Sequence, residues 1–502
     1  MSINESPISG DTTNLGAAQP LAARCQRATD EPGPPAHVSM TKDTAPGDDL
    51  DAAAAGPPTS SSALDSERPE QPATTSSLSV LRLLHLSDIH FVHLLPDHQR
   101  SLDLEHAVRA RMLLDISNMR DSLGPMDAIL VVGDIAFGGR PEQYDVAAEF
   151  LHGVAELIGC PNDKVVCVPG NHDVDWTQHD LSHEALRQQL RNLPPERLSD
   201  KLLALLGSEP TCDTLLRPFD AYNAFALAYA CDISHDVPVW APKTFPLGPR
   251  TVQVHGVTSA WISDVDDSAD DDSYRLVAGV FQAASIGTDP EVISIAMCHH
   301  PPGWLRDRDL LSPWLNQARL VLTGHEHVAG TYLSGDERTL HVASGAVNPS
   351  RVESPWAPAY NVLELYYDSE RADILRVRVH TQTWQERAEF GPDTSAKQPR
   401  EFLVRLVPRL RDETPRLGGQ LDADSKSRAP EPIDSARHRH AYAVMRASRD
   451  LRRSMAREMG LLADPAPIGL AADRAILLEA IRSGRLSELA ANLVGGTLDD
   501  AG

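Results

Sequence analysis

Five short apolar runs punctuate the chain: Leu81-Arg82-Leu83-Leu84-His85-Leu86, then residues 128–132, 165–168, 292–298 and 320–323. In the first, leucines fall on both alternating faces, the pattern of a strand buried on both sides inside a parallel sheet covered by helices. Between the first two runs Leu104, Val108, Met112 and Ile116 recur every four residues, so a helix is predicted over 101–119. A second helix, over 142–157, links the second run to the third in the same way. Strand, helix and strand in succession predict right-handed parallel βαβ units.

The pattern changes between the third and fourth runs. Residues 176–232 read as helical, broken at Pro194-Pro195 and near Pro210, and from Val237 short strands are expected at 239–240, 245–247 and 251–257. After residue 327, the segments 341–347, 360–367, 374–380 and 402–407 alternate like antiparallel strands that complete a second sheet against the first. Residues 1–78 are rich in Ala, Pro, Ser, Thr and acidic side chains; they lack the apolar surface to offset chain entropy and are expected to be disordered. The organisation expected is therefore that tail, a main domain over 79–410, a linker over 411–433 and a small helical module over 434–502. The module opens with a basic helix carrying Arg437, Arg439, Arg446, Arg449, Arg452, Arg453 and Arg457, in which Leu451, Met455 and Met459 form one stripe, read as a packing face.

Composition narrows the function. The 502-residue chain carries a formal net charge of −25, which disfavours wide contact with a phosphate backbone or an anionic membrane. No stretch has the length of apolar sequence a membrane span needs, and the first residues lack a basic segment followed by an apolar one, so no secretory signal is expected. The six cysteines (25, 160, 167, 212, 231 and 298) are scattered without a Cys-x-x-Cys pair, compatible with a reducing cytoplasm. Cys298 reads as a small buried strand residue rather than a nucleophile. His93 and His98 read as exposed loop residues, and the acidic run 264–272, lacking EF-hand spacing, as a solvated loop.

The chemistry stands at the carboxyl ends of the apolar runs, where α/β sheets bind their ligands. In order these ends carry Asp88-Ile89-His90, Gly133-Asp134, Gly170-Asn171-His172-Asp173, His299-His300-Pro301-Pro302 and Gly324-His325-Glu326-His327. Carboxylate, amide and imidazole without thiolate suit Mn, Fe or Zn. The glycines stand at the turns, where a residue without a Cβ lets the backbone bend.

This set, in this order, resembles the calcineurin-like metallophosphoesterase superfamily over about residues 80 to 370. The resemblance implies an α/β fold, a four-layer αββα sandwich, with the insertion over about 176–257 forming a cap that sets substrate choice. It also implies two metal ions: Asp88, His90 and His327 at one, Asn171, His299 and His325 at the other, Asp134 bridging both. His299 is preferred to His300 because the family's ligand is the first residue after the strand; His300 would lie behind it or line the pocket. His172 resembles the family's catalytic histidine, protonating the leaving alkoxide, with Asp173 orienting its ring.

The wording around Ser87-Asp88-Ile89-His90-Phe91 and His299-His300-Pro301-Pro302 is most similar to the bacterial class III cyclic-nucleotide phosphodiesterase-like branch. The Asp-Arg pair of the serine/threonine protein phosphatases is missing, since Gly133-Asp134 runs into Ile135-Ala136-Phe137-Gly138. The expectation is a cytoplasmic hydrolase of small phosphoesters, chiefly diesters such as cyclic nucleotides, acting through a hydroxide shared between the metals. The alternative is a nuclease or nucleotide hydrolase recruited to a bacterial signalling or defence assembly through its C-terminal helices, by a protein partner or by self-association. A binding protein that has lost turnover is disfavoured because every implied ligand and His172 are present.

Overall fold

The computed structural model describes residues 78–92, 104–264, 267, 275–289, 291–334, 336–351, 353, 356–394 and 400–406, and in the C-terminal part 444, 449–462, 476, 479–480 and 483–499. The expected disordered tail up to residue 77, the linker at 411–433, His93 and His98, Arg437, Arg439 and Arg446, and Cys25 lie outside these residues.

The chain begins with β1 (Leu78–Leu86), α1 (Leu104–Leu123), β2 (Ala128–Val132), α2 (Pro141–Ile158) and β3 (Val165–Val168). The three strands run parallel and side by side, as the βαβ rhythm predicted. Every residue of β2 and β3 is buried, which is why these segments are unbroken apolar runs with no alternation. Val108, Met112 and Ile116 of α1 are buried as their spacing requires, and Asp115 accepts a hydrogen bond from Tyr360 across the sheet face (2.6 Å).

Four helices follow: α3 (Leu181–Arg191), α4 (Pro195–Leu206), α5 (Glu209–Leu216) and α6 (Asp220–Ala226). Pro195 and Pro210 sit in the first turns of α4 and α5, where a missing N–H costs nothing, so they start helices as well as interrupt the run. The next strands are β4 (Lys243–Leu247), β5 (Arg250–Val257), β6 (Val292–Cys298), β7 (Leu320–Thr323), β8 (Gly330–Leu333) and β9 (Leu340–Ala343), with α7 (Arg308–Leu315) between β6 and β7. The chain then forms β10 (Ala359–Asp368), β11 (Ile374–Gln385), β12 (Glu389–Pro392) and β13 (Arg400–Arg405).

Two sheets result. The first has the order β12-β11-β10-β1-β2-β3, with β13 also paired to β11; the second has the order β4-β5-β6-β7-β9-β8. One continuous hydrophobic core joins them in an α/β sandwich, the fold class expected from the sequence. Four expectations need correction. The five ligand-bearing strands do not share one sheet but divide three and two, β1 to β3 in the first and β6 and β7 in the second. The strands after residue 327 divide as well: β8 and β9 extend the second sheet, while β10 to β13 complete the first. The strand half of the expected cap lies inside the second sheet, since β5 runs parallel to β6 over seven residue pairs and β4 forms the adjacent edge. Val239-Trp240 is not a strand; the Trp240 ring packs so closely over Gly256 of β5 that a Cβ there would collide with it.

Of the acidic run 264–272, only Asp264 and Asp267 lie among the described residues, and these two are paired rather than solvated. Asp264 pairs with the buried Arg187 of α3, and Asp267 with Arg191 (2.7 Å), so these carboxylates tie the segment to the helical insertion. Arg306 completes that tie by donating to the carbonyls of Leu190 and Leu193 at the end of α3 (3.1 and 2.7 Å), where helix carbonyls lack partners.

In the C-terminal part, α8 (Arg449–Glu458) and α9 (Leu486–Asp499) contact each other. Met459 is buried, with Leu451 and Met455 packed against the same core, in keeping with the packing-face reading of that stripe. Arg452 does not present its charge to a partner: it is buried and pairs with Asp145 of α2 (3.3 Å). Among the described residues no helix is long and apolar enough to cross a membrane.

Candidate metal centre

The loops after β1, β2, β3, β6 and β7 meet between the two sheets. Backbone bonds stitch them together: Asp88 N donates to Gly133 O (3.1 Å), His90 N to Asp134 O (3.0 Å) and Gly324 N to His299 O (2.9 Å). The turns are sharp enough that Asp88, His90, Asp134, His325 and His327 all have positive φ, between 51° and 71°. They are five of the eight such non-glycine residues among the described ones. Each costs of order 1 kcal/mol or more, a strain that persists where surrounding contacts impose it and that clusters at functional sites. Two turn glycines are required by contact as well: a Cβ at Gly133 would enter the His299 ring and one at Gly170 the Asp134 carboxylate.

Four overlapping groups of side chains place ligand atoms within 4.8 Å of one another: Asp88, His90 and His327; Asp88, Asp134 and His299; His90, Asp134 and His172; and His299, His300 and His325. Six of the seven residues named from the sequence as metal ligands are in these groups, and Asp134 and Asp88 each belong to two of them; the seventh, Asn171, adjoins through its amide oxygen. His327 Nε2 lies 3.3 Å from Asp88 Oδ1 and 3.4 Å from His90 Nε2, while His299 Nε2 lies 3.4 Å from Asp134 Oδ2. The Asn171 Oδ1 atom faces His299 Nε2 (3.2 Å), His300 Nε2 (3.1 Å) and His325 Nδ1 (3.0 Å).

Two features show that this donor set fits cations. Asp88 Oδ1 is buried with no hydrogen bond, which an anionic oxygen tolerates only beside positive charge. An amide oxygen has two lone pairs, yet Asn171 Oδ1 meets three ring nitrogens.

The electrostatics divide the four imidazoles. Burial drives the His90 and His325 rings down to about 3, so both are neutral with lone pairs available at pH 7. Burial would also lower His299 and His327, but the neighbouring carboxylates reverse this: Asp134 holds His299 near 9, and Asp88 with Glu353 hold His327 near 11. Burial would raise Asp88 and Asp134, yet His327 and His299 hold them well below the usual carboxylate range.

His172 stands at the rim. Its Nδ1 lies 2.9 Å from the Phe137 carbonyl, which can only accept, so Nδ1 carries a proton and Nε2 is the free nitrogen. The Phe137 ring stacks on the imidazole (centroids 5.3 Å apart) and the Trp176 ring tilts against it at 5.6 Å.

Asp173 does not orient that ring, contrary to the sequence expectation. Its carboxylate is buried and accepts from the amides of Ile135 (3.2 Å), Ala136 (2.9 Å) and Gly170 (2.9 Å) and from the Tyr144 hydroxyl (2.7 Å). It pins the Asp134 loop to the Asn171 loop. Burial and the nearby Asp134 charge raise it to about 6.

Sequence reading missed three contributors. Glu353 Oε1 takes the His327 Nδ1 hydrogen bond (2.9 Å), Val132 O that of His299 Nδ1 (2.8 Å), and Ser259 Oγ contacts His300 Nδ1 (2.7 Å). Such partners fix a ligand's tautomer and direction. The second is a backbone atom, Glu353 follows no strand, and Ser259 stands just past β5, a segment read from the sequence as part of the cap, so none was singled out.

The comparisons fit this geometry. Residues 81–329 match the family described as calcineurin-like phosphoesterase. The chain is 30% identical over 123 residues to the uncharacterized metallophosphoesterase-like protein YydB of Bacillus subtilis (strain 168), a match spanning 24% of this chain and 23% of that relative's length. Among solved structures it is similar to the purple acid phosphatase PPD1 from yellow lupin (Lupinus luteus) seeds, with 12% identity, 66% of this chain and 55% of that chain covered, and a TM-score of 0.33. It is similar also to a putative 5'-nucleotidase from Staphylococcus aureus, with 13% identity, 69% and 56% covered, and a TM-score of 0.31. The motif order and the converged side chains thus stand within the span, residues 81–329, that matches the calcineurin-like phosphoesterase family, and they support that superfamily for it.

Proposed function

We propose that the protein hydrolyses small phosphoesters, chiefly diesters of the cyclic-nucleotide kind, with a pair of metal ions drawn from Mn, Fe and Zn. The observation that carries this reading is the convergence of Asp88, His90, Asp134, Asn171, His299, His325 and His327 on one largely buried cluster. Asp88, His90 and His327 would hold one cation, Asn171, His299 and His325 the other, with the Asp134 carboxylate between them. When bound, the pair supplies the Lewis acidity that activates water and offsets charge on the phosphoryl oxygens.

The chain's own groups supply the rest. Phe137 engages His172 Nδ1 through its carbonyl and holds the ring through stacking, which leaves Nε2 as the nitrogen that, when protonated, would give its proton to the leaving oxygen. Burial of Asp88 and His299 keeps bulk water from competing for the ligand atoms. Phe137, exposed and stacked on His172, and Trp304, edge-on to His325 at 4.2 Å, place flat apolar surface beside the centre, suited to a planar leaving group. The net charge of −25 supports a small anionic substrate over a nucleic-acid chain.

The test is a substrate panel with added Mn²⁺: bis-p-nitrophenyl phosphate, p-nitrophenyl phosphate, cyclic nucleotides, and single- and double-stranded DNA. Turnover of the small diesters is expected. Cleavage of DNA with no turnover of the small esters would replace this reading by that of a nuclease.

A further inference from the structure

We infer that His300 is an additional imidazole ligand in the half of the centre built on Asn171, His299 and His325, so that this half offers three imidazoles where the half built on Asp88 offers two. The inference rests on the dinuclear reading above and goes beyond its seven ligands.

The geometry carries it. Donor atoms bound about 2.1 Å from one cation stand roughly 3.0 Å apart at an octahedral edge and roughly 3.4 Å apart at a tetrahedral one. The three separations from Asn171 Oδ1, to His299 Nε2, His300 Nε2 and His325 Nδ1, are 3.2, 3.1 and 3.0 Å, so by distance to the amide His300 matches the other two, although His299 alone of the three also neighbours Asp134. The two lone pairs of that amide oxygen leave no arrangement in which three ring N–H groups all donate to it, whereas one cation among the four atoms satisfies them together. His300 is fully buried and its Nδ1 is tethered to Ser259 Oγ at 2.7 Å, the second contact a metal-ligating histidine needs to hold its ring. The rings of His300 and His325 lie with centroids 4.4 Å apart, both turned toward the amide. An imidazole-rich half favours Zn or Fe over Mn.

The competing role is that of a positioning residue, in which His300 donates Nε2–H to Asn171 and touches no metal. The experiment is metal titration of the full-length protein by calorimetry, with metal content measured after dialysis, combined with pulsed EPR of Cu²⁺-loaded protein to count coupled imidazole nitrogens. Wild type is expected to take two metals. His300→Ala is expected to weaken one of them at least about tenfold, leave the other unchanged, and remove one coupled imidazole from the EPR spectrum. Ser259→Ala, which keeps the ring but frees it, is expected to shift the same site in the same direction by less, so the inference stays open to test if His300→Ala fails to fold.

An unchanged imidazole count in His300→Ala, or an unchanged count and affinity in Ser259→Ala where that variant alone folds, overturns the inference and leaves the dinuclear reading intact. Failure of wild type to bind two metals overturns the dinuclear reading itself, a separate result.

Discussion

The two halves of the centre are built from the same kinds of loop but surrounded differently. Around His327 the neighbours are anionic: Asp88 shares its ligand group and Glu353 holds its second ring nitrogen. Around Asn171 the groups that hold the second ring nitrogens are neutral, a backbone carbonyl behind His299 and a serine hydroxyl behind His300. On the reading proposed above, the same fold edge would offer one carboxylate-rich position and one imidazole- and amide-rich position, joined by Asp134. Carboxylates suit harder, more highly charged cations and imidazoles softer divalent ones, so the contrast is a means of holding two unlike metals side by side.

The sharpest way to break the contrast is to remove what both halves share. Asp134→Ala is expected to abolish metal binding and activity together, read by metal analysis and by turnover of bis-p-nitrophenyl phosphate. Two retained metals with full activity would dismantle the assignment.

Next in size is His172→Ala. His172 touches neither half through the ligand sets proposed here, so both metals should remain while kcat falls by about 10²-fold or more, the usual loss for a general acid. Separate metal and kinetic measurements distinguish this from the first variant.

Glu353→Gln addresses the anionic half alone. Neutralising the group behind His327 is expected to weaken one metal by about tenfold, the lower end for such outer partners, and leave the imidazole-rich position unaltered in a two-site titration. Equal weakening of both would show that the halves are not independent.

The smallest effect serves as a control away from the centre. Glu364 of β10 bonds Arg82 of β1 (3.2 Å) and His380 of β11 (3.0 Å). Burial alone would raise its pKa, but His380, Tyr366 and Arg82 hold it at about 2, below the model-peptide value of 4.5. A depressed folded-state carboxylate stabilises above its unfolded pKa and loses that contribution as pH falls from 4.5 toward 2. Glu364→Gln should therefore flatten the decline of thermal stability over that window, with metal binding at pH 7 unchanged.

How much of this was legible beforehand differs by element. The five apolar runs became strands because runs such as Ile129–Val132 and Val165–Val168 have no polar side to expose, and a chain of that kind is stable only when covered on both faces. Their ends could be read because a ligand must follow a strand directly to stand at its carboxyl edge. The partition of those strands between two sheets was not legible, since each run looks alike from within. Nor was the place of β5: its alternation in Arg250–Val257 is compatible with a cap as well as a core strand, and only its pairing with β6 decides. Asp173 misled because it adjoins His172 in sequence, while its carboxylate turns toward Tyr144 and three backbone amides.

The sequence by itself determined which side chains reach the edge of the fold and in what order, because hydrophobic periodicity and turn chemistry are local. Tertiary structure alone decided that Glu353 stands behind His327, Ser259 behind His300 and the Phe137 carbonyl behind His172. Those partners come from segments 26, 41 and 35 residues away, and hydrogen bonds of that reach are set by how the loops pack.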